Sequence, residues 1–283
     1  MDLSRFSLMT FQMATDLQKK TMTVLETLEL AQNAGLGFVD VMRVNKKQIP
    51  EYQSAMNQTG VRVFAYIDVI SFLNPKSQWL NQLRTGLDTA KQLGAAYFMI
   101  VPYGVFDVYR ARRFGKEKVM NCMIDGFREA VSMGRAAGIR ICVETTPHKE
   151  SCLSGSDDCL RILDAVESLD FVFDTANMLP SGEDPLEAYQ LMKDRIAYVH
   201  LKDVAVQRGG FVPAFAEHTP DGGYMECTLW GCGEIPIKKL FDSLLEDGYQ
   251  GYFAIEYTHP GKDACGIQKH AAHLKSFFRY LNS

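Results

Sequence analysis

The chain has 283 residues, of which 47% are hydrophobic and 23% charged, with a formal net charge of −4. These values are ordinary for a soluble globular protein, and no basic stretch indicates a nucleic-acid partner. The sequence lacks a run of about 18 apolar residues and the long apolar region of a signal peptide, so we expect neither a membrane span nor export. Seven cysteines without a CxxC pair predict free thiols in a reducing cytoplasm.

Eight short apolar runs alternate with amphipathic stretches along the chain. Helical spacing of apolar residues predicts helices over 22–35, 121–138 and 235–251, and glycines follow several helices just before the next strand. The predicted strands are Phe6–Phe11, Phe38–Met42, Arg62–Ile67, Tyr97–Val101, Arg140–Glu144, Phe171–Asp174, Ala197–His200 and Tyr252–Glu256.

Strict alternation of helices with buried-looking strands predicts an α/β protein with a parallel sheet. Eight units in a chain of this length favour a single closed (β/α)8 TIM barrel over an open doubly wound sheet. No GxGxxG or GxxxxGK[ST] pattern follows the first strand, which weakens the open-sheet nucleotide-binding alternative. We therefore expect one barrel domain over residues 1–283, with the active site at the C-terminal ends of the strands.

Four polar side chains each stand at the end of a predicted strand. They are Glu144 in ICVETTPH, Asp174 in FVFDTANM, His200 in AYVHLKDV and Glu256 in FAIEYTHP. The spacings of 30, 26 and 56 residues place them on the last four strands of the series. Because the C-terminal ends of barrel strands meet on one face, we expect these side chains to converge.

Two glutamates, an aspartate and a histidine form a mostly oxygen ligand set that suits one divalent cation. Such a cation would polarise a ketone and stabilise the enediolate formed when the neighbouring proton is lost. Glu144 and Glu256 would then act as the acid/base pair, one taking the proton and the other returning it. Taken one at a time, these residues also have purely structural explanations. Each glutamate could be a helix cap or a surface charge, Asp174 could be an N-cap, and His200 could be a core histidine. Their occurrence at four successive strand ends favours the metal site.

Two more polar side chains are candidates for substrate contacts. Lys202 lies two residues after His200, so both side chains point to the same side of the strand. Asn177 lies three residues after Asp174, within reach of that side chain or of the metal site. The alternative for Lys202 is a solvated surface lysine.

Two long connections are placed to build or cover the site. The first, over residues 103–113, begins with Tyr103, which would form an apolar wall for a sugar. Its arginines would hold a phosphate or lie on the surface of a helix start. The second connection covers 203–234 and would serve as a lid or as a contact in a homo-oligomer.

The chain resembles the xylose-isomerase-like barrel superfamily, above all its sugar-phosphate isomerase/epimerase branch. The resemblance covers nearly the whole chain and is strongest over 139–260. It is carried by the runs VETTPH, FDTANM, VHLKD, GCGEIPIKKLFDSL and GYQGYFAIEYTHP. The H-[LV]-K-D element and the G-x-G-x-[IV] segment are fairly specific in combination, although each is weak alone.

The resemblance implies a metal-dependent isomerase or epimerase for a sugar or sugar phosphate. One Mn2+, Mg2+, Co2+ or Zn2+ ion would be held by the four residues at the strand ends. Ketose 3-epimerases and hydroxypyruvate isomerases are built alike, and the epimerases use both glutamates for acid/base chemistry. Asn177 stands where the 3-epimerases carry a histidine, and Arg208 is the nearest match, at a longer spacing, to their substrate-binding arginine.

Three alternatives accompany this interpretation. An enzyme of inosose-dehydratase type would use the same enediolate to expel a β-hydroxyl group. A non-catalytic sugar-binding barrel would have no need for both glutamates. A DNA-repair role of endonuclease IV type is disfavoured, because it requires three zinc ions and more histidines than the strand ends offer.

Overall fold

The computed structural model describes residues 2–102, 107–212, 216–257 and 266–283, with only the backbone described at position 149. Eight parallel strands close into a barrel, because the last one pairs back to the first. This confirms the predicted fold. The strands of the structure, one of which lies outside the barrel, are β1 (Phe6–Met9), β2 (Phe38–Met42), β3 (Arg62–Val69), β4 (Tyr97–Val101), β5 (Arg140–Glu144), β6 (Asp170–Asp174), β7 (Ile196–Gln207), β8 (Tyr224–Thr228) and β9 (Tyr252–Glu256).

Helices cover the outside of the barrel, and their ends follow local sequence signals. Thr23 begins α2 with a capping box to Glu26, and glycines in the left-handed conformation end α3, α4 and α6. The helices of the described ranges are α1 (Ala14–Lys19), α2 (Val24–Asn33), α3 (Ile49–Thr59), α4 (Lys76–Leu93), α5 (Asp107–Phe114), α6 (Lys116–Ala137), α7 (Ser156–Ala165), α8 (Pro185–Met192), α9 (Ile237–Glu246) and α10 (Gly266–Leu281). The three helices predicted from spacing correspond to α2, α6 and α9.

The strands separate two apolar cores. The larger core lies between the strands and the surrounding helices. The smaller core fills the inside of the barrel and contains Met9, Phe64, Ala65, Ile67, Tyr97, Met99, Cys142, Val172, Tyr198 and Ala254. Because side chains alternate along a strand, the residue two positions after an interior residue also points inward. This periodicity takes each strand from the packed interior to the open mouth of the barrel.

The polar residues at the strand ends follow from this alternation. Two positions beyond the interior residues Cys142, Val172, Tyr198 and Ala254 stand Glu144, Asp174, His200 and Glu256. The strand register sets Asp174 opposite His200 and Lys202 opposite Glu256. Strand order and register therefore bring all of them to one side of the barrel mouth.

Strand β7 differs from its prediction. The sequence suggested a strand ending at His200 and a long loop over 203–234, but β7 continues to Gln207 and pairs antiparallel with β8. The error arose because Lys202 and Asp203 looked like a polar stop, whereas the alternating Val204 and Val206 continue the strand. The resulting two-stranded arm extends from the C-terminal face of the barrel.

The structure also bears on the cysteines and on the possibility of a membrane-spanning helix. The six cysteines in the described ranges are free thiols, as the absence of a CxxC pair predicted. Across the described ranges, none of the helices combines the length and apolarity needed to cross a membrane.

Candidate metal centre

Glu144, Asp174, His200 and Glu256 come together at the mouth of the barrel. One ligand atom from each lies within 4.8 Å of the others, a spacing that fits a shared cation. Asp174 and His200 are fully buried, and the two glutamates are 9% and 8% exposed. Three carboxyl groups and one imidazole thus share a space that is largely closed to water.

Asp174 divides its two carboxylate oxygens between two tasks. Its Oδ1 accepts the backbone N–H groups of Ala176 and Asn177 at 2.8 and 2.9 Å, which caps the turn after β6. Its Oδ2 is buried and has no hydrogen-bond partner among the described residues. Asp174 is not a helix N-cap, since the next helical turn begins only at Leu179, but one of its oxygens closes the turn after β6 and the other remains available to a ligand.

His200 lies between the two glutamates. Its Nδ1 is 2.9 Å from Glu144 Oε1 and 3.4 Å from Glu256 Oε2, and the Tyr198 ring packs edge-on against its imidazole. Its Nε2 is buried without a partner in the described part of the chain. Burial opposes the charged imidazolium, but Glu144 and Glu256 outweigh it and raise the pKa of His200 well above its usual value.

Lys202 brings a buried positive charge to the cluster. Its Nζ lies 3.1 Å from Glu256 Oε1 and 3.6 Å from Asp174 Oδ2, and it donates a hydrogen bond to Asn177 Oδ1 at 3.1 Å. Burial opposes ionisation of Glu256, but Lys202 and His200 outweigh it and lower the pKa of that carboxyl to about 2. For Asp174 burial prevails over the attraction of Lys202 and raises the pKa to about 8. Lys202 is thus part of the site and not a solvated lysine.

Two threonines support the site, and the sequence interpretation missed them. Thr175 Oγ1 exchanges hydrogen bonds with the backbone N–H and C=O of Lys202, both at 2.8 Å. Asn177 Nδ2 donates to Thr145 O at 2.7 Å, which ties the turn after β6 to the end of β5. The available signal was a threonine directly after each carboxylate, in Glu144-Thr145 and Asp174-Thr175.

The donor set fits a divalent cation. A buried polar atom without a hydrogen bond is costly, and this site holds two within the described residues, Asp174 Oδ2 and His200 Nε2. Like-charged carboxylates this close are stabilised by a cation, and the oxygen-rich set with one imidazole is compatible with Mg2+, Mn2+, Co2+ or Zn2+. The buried cluster can therefore hold a metal ion.

The other candidates have different outcomes. Asn177 contacts both Asp174 and Lys202 beside the cluster. Arg208 is not brought to the cluster: it lies on the arm, half exposed, and pairs with Asp221 at 2.8 Å and Glu234 at 3.1 Å. Tyr103 lies outside the described residues.

A cavity of about 420 Å3 opens on the same face of the barrel. Its walls come from α5, the loops after β5 and β6, and the arm, and include Tyr109, Arg112, His148 and Glu217. His148 Nδ1 pairs with Glu217 Oε2 at 2.9 Å, so the loop after Glu144 contacts the arm. Arg112 is paired with Glu150 at 3.1 Å, which occupies one of the arginines considered for phosphate. The cavity has the size typical of small-molecule sites.

Comparison with known proteins shows the family to which this fold belongs. An inosose dehydratase from Geobacillus kaustophilus (strain HTA426) is 24% identical over 257 residues, covering 80% of this chain and 78% of the relative. Inosose dehydratases from Lacticaseibacillus casei and Bacillus thuringiensis (strain Al Hakam) are 30% and 27% identical. These matches cover 35% and 54% of this chain, and the chain spans only 34% and 52% of their own length.

Solved structures agree on the fold. The IOLI protein with a binding zinc atom superposes with a TM-score of 0.76 at 15% identity, covering 98% of this chain and 97% of that one. The apo 3-keto-D-glucoside 4-epimerase from E. coli gives 0.69 at 14% identity, over 98% and 99% of the two chains. The closed barrel, with groups at its strand ends that could hold a metal ion, defines the class. The xylose isomerase-like TIM barrel family matches residues 28–277, and the chain belongs to that family.

Proposed function

We propose that the chain is a divalent-metal-dependent enzyme that removes a proton next to the ketone of a keto-polyol or keto-sugar. The observation that carries this proposal is the buried cluster of Glu144, Asp174, His200 and Glu256 with Lys202 beside it. These four residues would hold the ion, which when bound supplies polarisation of the ketone oxygen and stabilisation of negative charge on it. The cavity beside the loops after β5 and β6, which has no residue of the cluster in its lining, would receive the rest of the substrate.

The two glutamates would move the proton, and their surroundings differ. Glu256 pairs with both Lys202 and His200, which hold it ionised. Glu144 pairs with His200. A carboxylate base and a separately placed ammonium donor suit a reaction in which a proton is taken at one atom and an oxygen leaves at another. Lys202 would donate a hydrogen bond to that oxygen.

This asymmetry, with the dehydratase names of the relatives, favours elimination of water. A glutamate carboxylate takes the proton on the carbon next to the ketone, and the C–H electron pair forms the new double bond. The C–O bond at the β-carbon breaks with its electron pair on oxygen, and that oxygen takes up the proton and departs as water. The substrate class would be an inosose or a similar keto-polyol, and the product an enone or its dione tautomer.

A sugar or sugar-phosphate isomerase or epimerase is the second candidate. It is favoured by the placement of Glu144 and Glu256 on either side of His200, with one oxygen of each within 3.4 Å of the same nitrogen. In that reaction one glutamate takes the proton and the other returns one to a different carbon or face. The β-hydroxyl then stays in the product.

One experiment separates the two candidates. The protein, purified and supplied with Mn2+, Mg2+, Co2+ or Zn2+ in turn, is incubated with 2-keto-myo-inositol and with a panel of ketoses and ketose phosphates in D2O. Dehydration produces enone absorbance and a mass loss of one water, whereas epimerisation produces deuterium incorporation without either change. Absence of both with every metal and substrate class would reject the proposed proton abstraction.

A matched control keeps this result interpretable. Glu256→Gln should lower turnover and deuterium exchange by about 10²–10⁴-fold, because the amide neither takes nor returns a proton. Glu246→Gln changes an exposed glutamate at the end of α9 and should keep wild-type rates. Elemental analysis of both variants would show whether metal content, rather than the lost base, explains a difference.

A further inference from the structure

The glycine-rich segment before α9 is folded around a single carboxylate. Asp203, the last residue of the HLKD element, is fully buried and accepts three backbone N–H groups. Gly231 and Gly233 donate to its Oδ2 at 2.8 and 3.0 Å, and Ile235 donates to its Oδ1 at 3.1 Å. The two motifs noted in the sequence are therefore one structural unit, with Asp203 at its centre.

Glycine is required at two positions of this segment for different reasons. A Cβ atom on Gly233 would lie 2.1 Å from Asp203 Oδ1 and 2.4 Å from the backbone oxygen of Val204. Gly231 has a φ of +80°, in the left-handed region that favours glycine. Only a segment without side chains at these points can enclose the Asp203 carboxylate, and its path fixes the preceding residue, Trp230.

Trp230 bridges the two strands that carry half of the site. Its indole Nε1–H donates to Leu201 O at 3.0 Å and to Glu256 O at 3.2 Å, in a three-centre hydrogen bond. The ring is 4% exposed and packs on Phe277 with centroids 4.7 Å apart. Leu201 lies between His200 and Lys202, so the indole joins the backbone of β7 to that of β9 at the level of the metal-binding cluster.

Glu256 is also held from the side of β1. Gln12 donates through Nε2 to Ile255 O at 3.2 Å and accepts the N–H of Tyr257 at 3.3 Å. The backbone on both sides of Glu256 is thus fixed by Gln12, and its own carbonyl by Trp230. At the end of β9, these side-chain hydrogen bonds take the place of the backbone hydrogen bonds between strands. They limit the positions that the Glu256 carboxylate can take.

We propose that Trp230 is a positioning residue that is held in place by the segment folded around Asp203. It sets the distance between the side chains of His200 and Lys202 on β7 and that of Glu256 on β9. This inference rests on the proposed metal site. It predicts that loss of the indole N–H changes the ligand geometry of the site while the fold is kept. The effect acts through the backbone of β7 and β9, because the indole contacts their carbonyls and not the ligand atoms.

The test uses the only two tryptophans of the chain as a matched pair. Trp230→Phe keeps an aromatic ring against Phe277 and removes the N–H, and Trp79→Phe makes the same change at a buried ring that packs on Phe72. Each full-length protein is titrated with Co2+, whose visible absorption reports ligand number and geometry. We expect Trp230→Phe to shift the Co2+ bands and to weaken its binding roughly three- to ten-fold, the worth of one or two hydrogen bonds. Trp79→Phe should match the wild type in both.

The outcomes separate this inference from the proposed function. If the wild type binds Co2+ and the two variants give the same spectrum and affinity, Trp230 has no positioning role, although the metal site stands. If the wild type itself binds no Co2+, the metal site fails and this inference fails with it.

A measurement on the wild type covers the case in which Trp230→Phe does not fold. With 15N-labelled indoles, binding of Zn2+ should move the N–H resonance of Trp230 and leave that of Trp79 in place. Zn2+ binding with both resonances unmoved would overturn the proposal.

Discussion

In the first half of the barrel, β1 to β4, the buried carboxyl of Asp40 has a hydrogen-bond partner for each oxygen. Ser7 Oγ lies 3.0 Å from Oδ2, and the Ala65 N–H donates to Oδ1 at 3.2 Å. In the second half, formed by β5, β6, β7 and β9, Asp174 has donors for only one oxygen among the described residues. Both carboxyl groups are fully buried, so burial alone does not distinguish them.

The difference distinguishes the roles of these two carboxyl groups. Buried polar groups of a folded protein are normally paired, and an exception calls for an explanation. Asp40 is a structural group, because neighbouring residues supply a hydrogen-bond partner for each of its carboxylate oxygens. Asp174 and His200 each keep a buried atom without a hydrogen-bond partner within the described structure, beside two glutamates and a lysine, as expected of a site completed by a ligand.

The largest expected effect is on catalysis in the second half. Glu256→Gln should lower turnover by about 10²–10⁴-fold, the usual contribution of a general acid/base. Steady-state rates with the substrate found in the product screen would measure it, with Glu246→Gln as the exposed control. Near-wild-type turnover by Glu256→Gln would remove Glu256 from the proposed mechanism.

Metal binding should separate the two buried aspartates. Asp174→Asn removes a charged ligand atom and should weaken Mn2+ or Co2+ binding at least about 100-fold, because even losing a residue that only supports a ligand costs 10–100-fold. Asp40→Asn should have a much smaller effect, because Asp40 is not among the residues that could hold the ion. Isothermal titration calorimetry on both variants would test this comparison, and equal affinities would show that the two carboxyl groups are not functionally distinct.

Stability should vary with pH through Asp40 in the metal-free protein. Burial raises the pKa of Asp40 to about 7, with the charge of His200 opposing, so the folded state holds a proton that the unfolded state has lost above pH 4. Because the folded state binds more protons in this range, its stability falls as pH rises from about 4 to about 7. The loss between pH 5 and pH 8 is on the order of 2–3 kcal/mol.

Asp40→Asn isolates this contribution. The amide mimics the neutral acid: its oxygen accepts from Ala65 N–H and its NH2 donates to Ser7 Oγ. We expect denaturant unfolding of this variant to depend less on pH between 5 and 8 than that of the wild type. Identical pH profiles for the two proteins would show that Asp40 stays ionised in the folded state.

The last expected effect is the pH dependence of metal affinity. Burial raises the pKa of Asp174 to about 8, and Glu144 and Glu256 outweigh burial and raise the pKa of His200 well above its usual value, so binding of a cation displaces protons from these groups. The affinity should therefore rise about ten-fold per pH unit for each proton released, and the part of this rise that is due to Asp174 should level off above about pH 8. Calorimetry in two buffers of different ionisation enthalpy counts the protons. A metal affinity that stays constant between pH 6 and pH 8 would contradict the predicted release of protons.

The sequence by itself determined the barrel and the members of the cluster. Strand alternation has a period of two, so a polar residue two positions after an interior residue must face the mouth, as Glu144 follows Cys142 and Glu256 follows Ala254. The eight strand–helix units and the glycines that end several helices are local sequence patterns, and such patterns can be recognised without knowledge of the tertiary structure. The residue types at four strand ends indicated the chemistry of the cluster in the same way.

Only the tertiary structure decided how these residues are used. Asp174 gives one oxygen to its own turn, Lys202 meets Glu256 across the β7–β9 pairing, and Arg208 is drawn to Asp221 on the arm. The extension of β7 and the enclosure of Asp203 depend on β8 and on glycines some 30 residues further along the chain. Such contacts depend on barrel closure and strand register, which bring distant segments together and leave no periodic signal in the sequence.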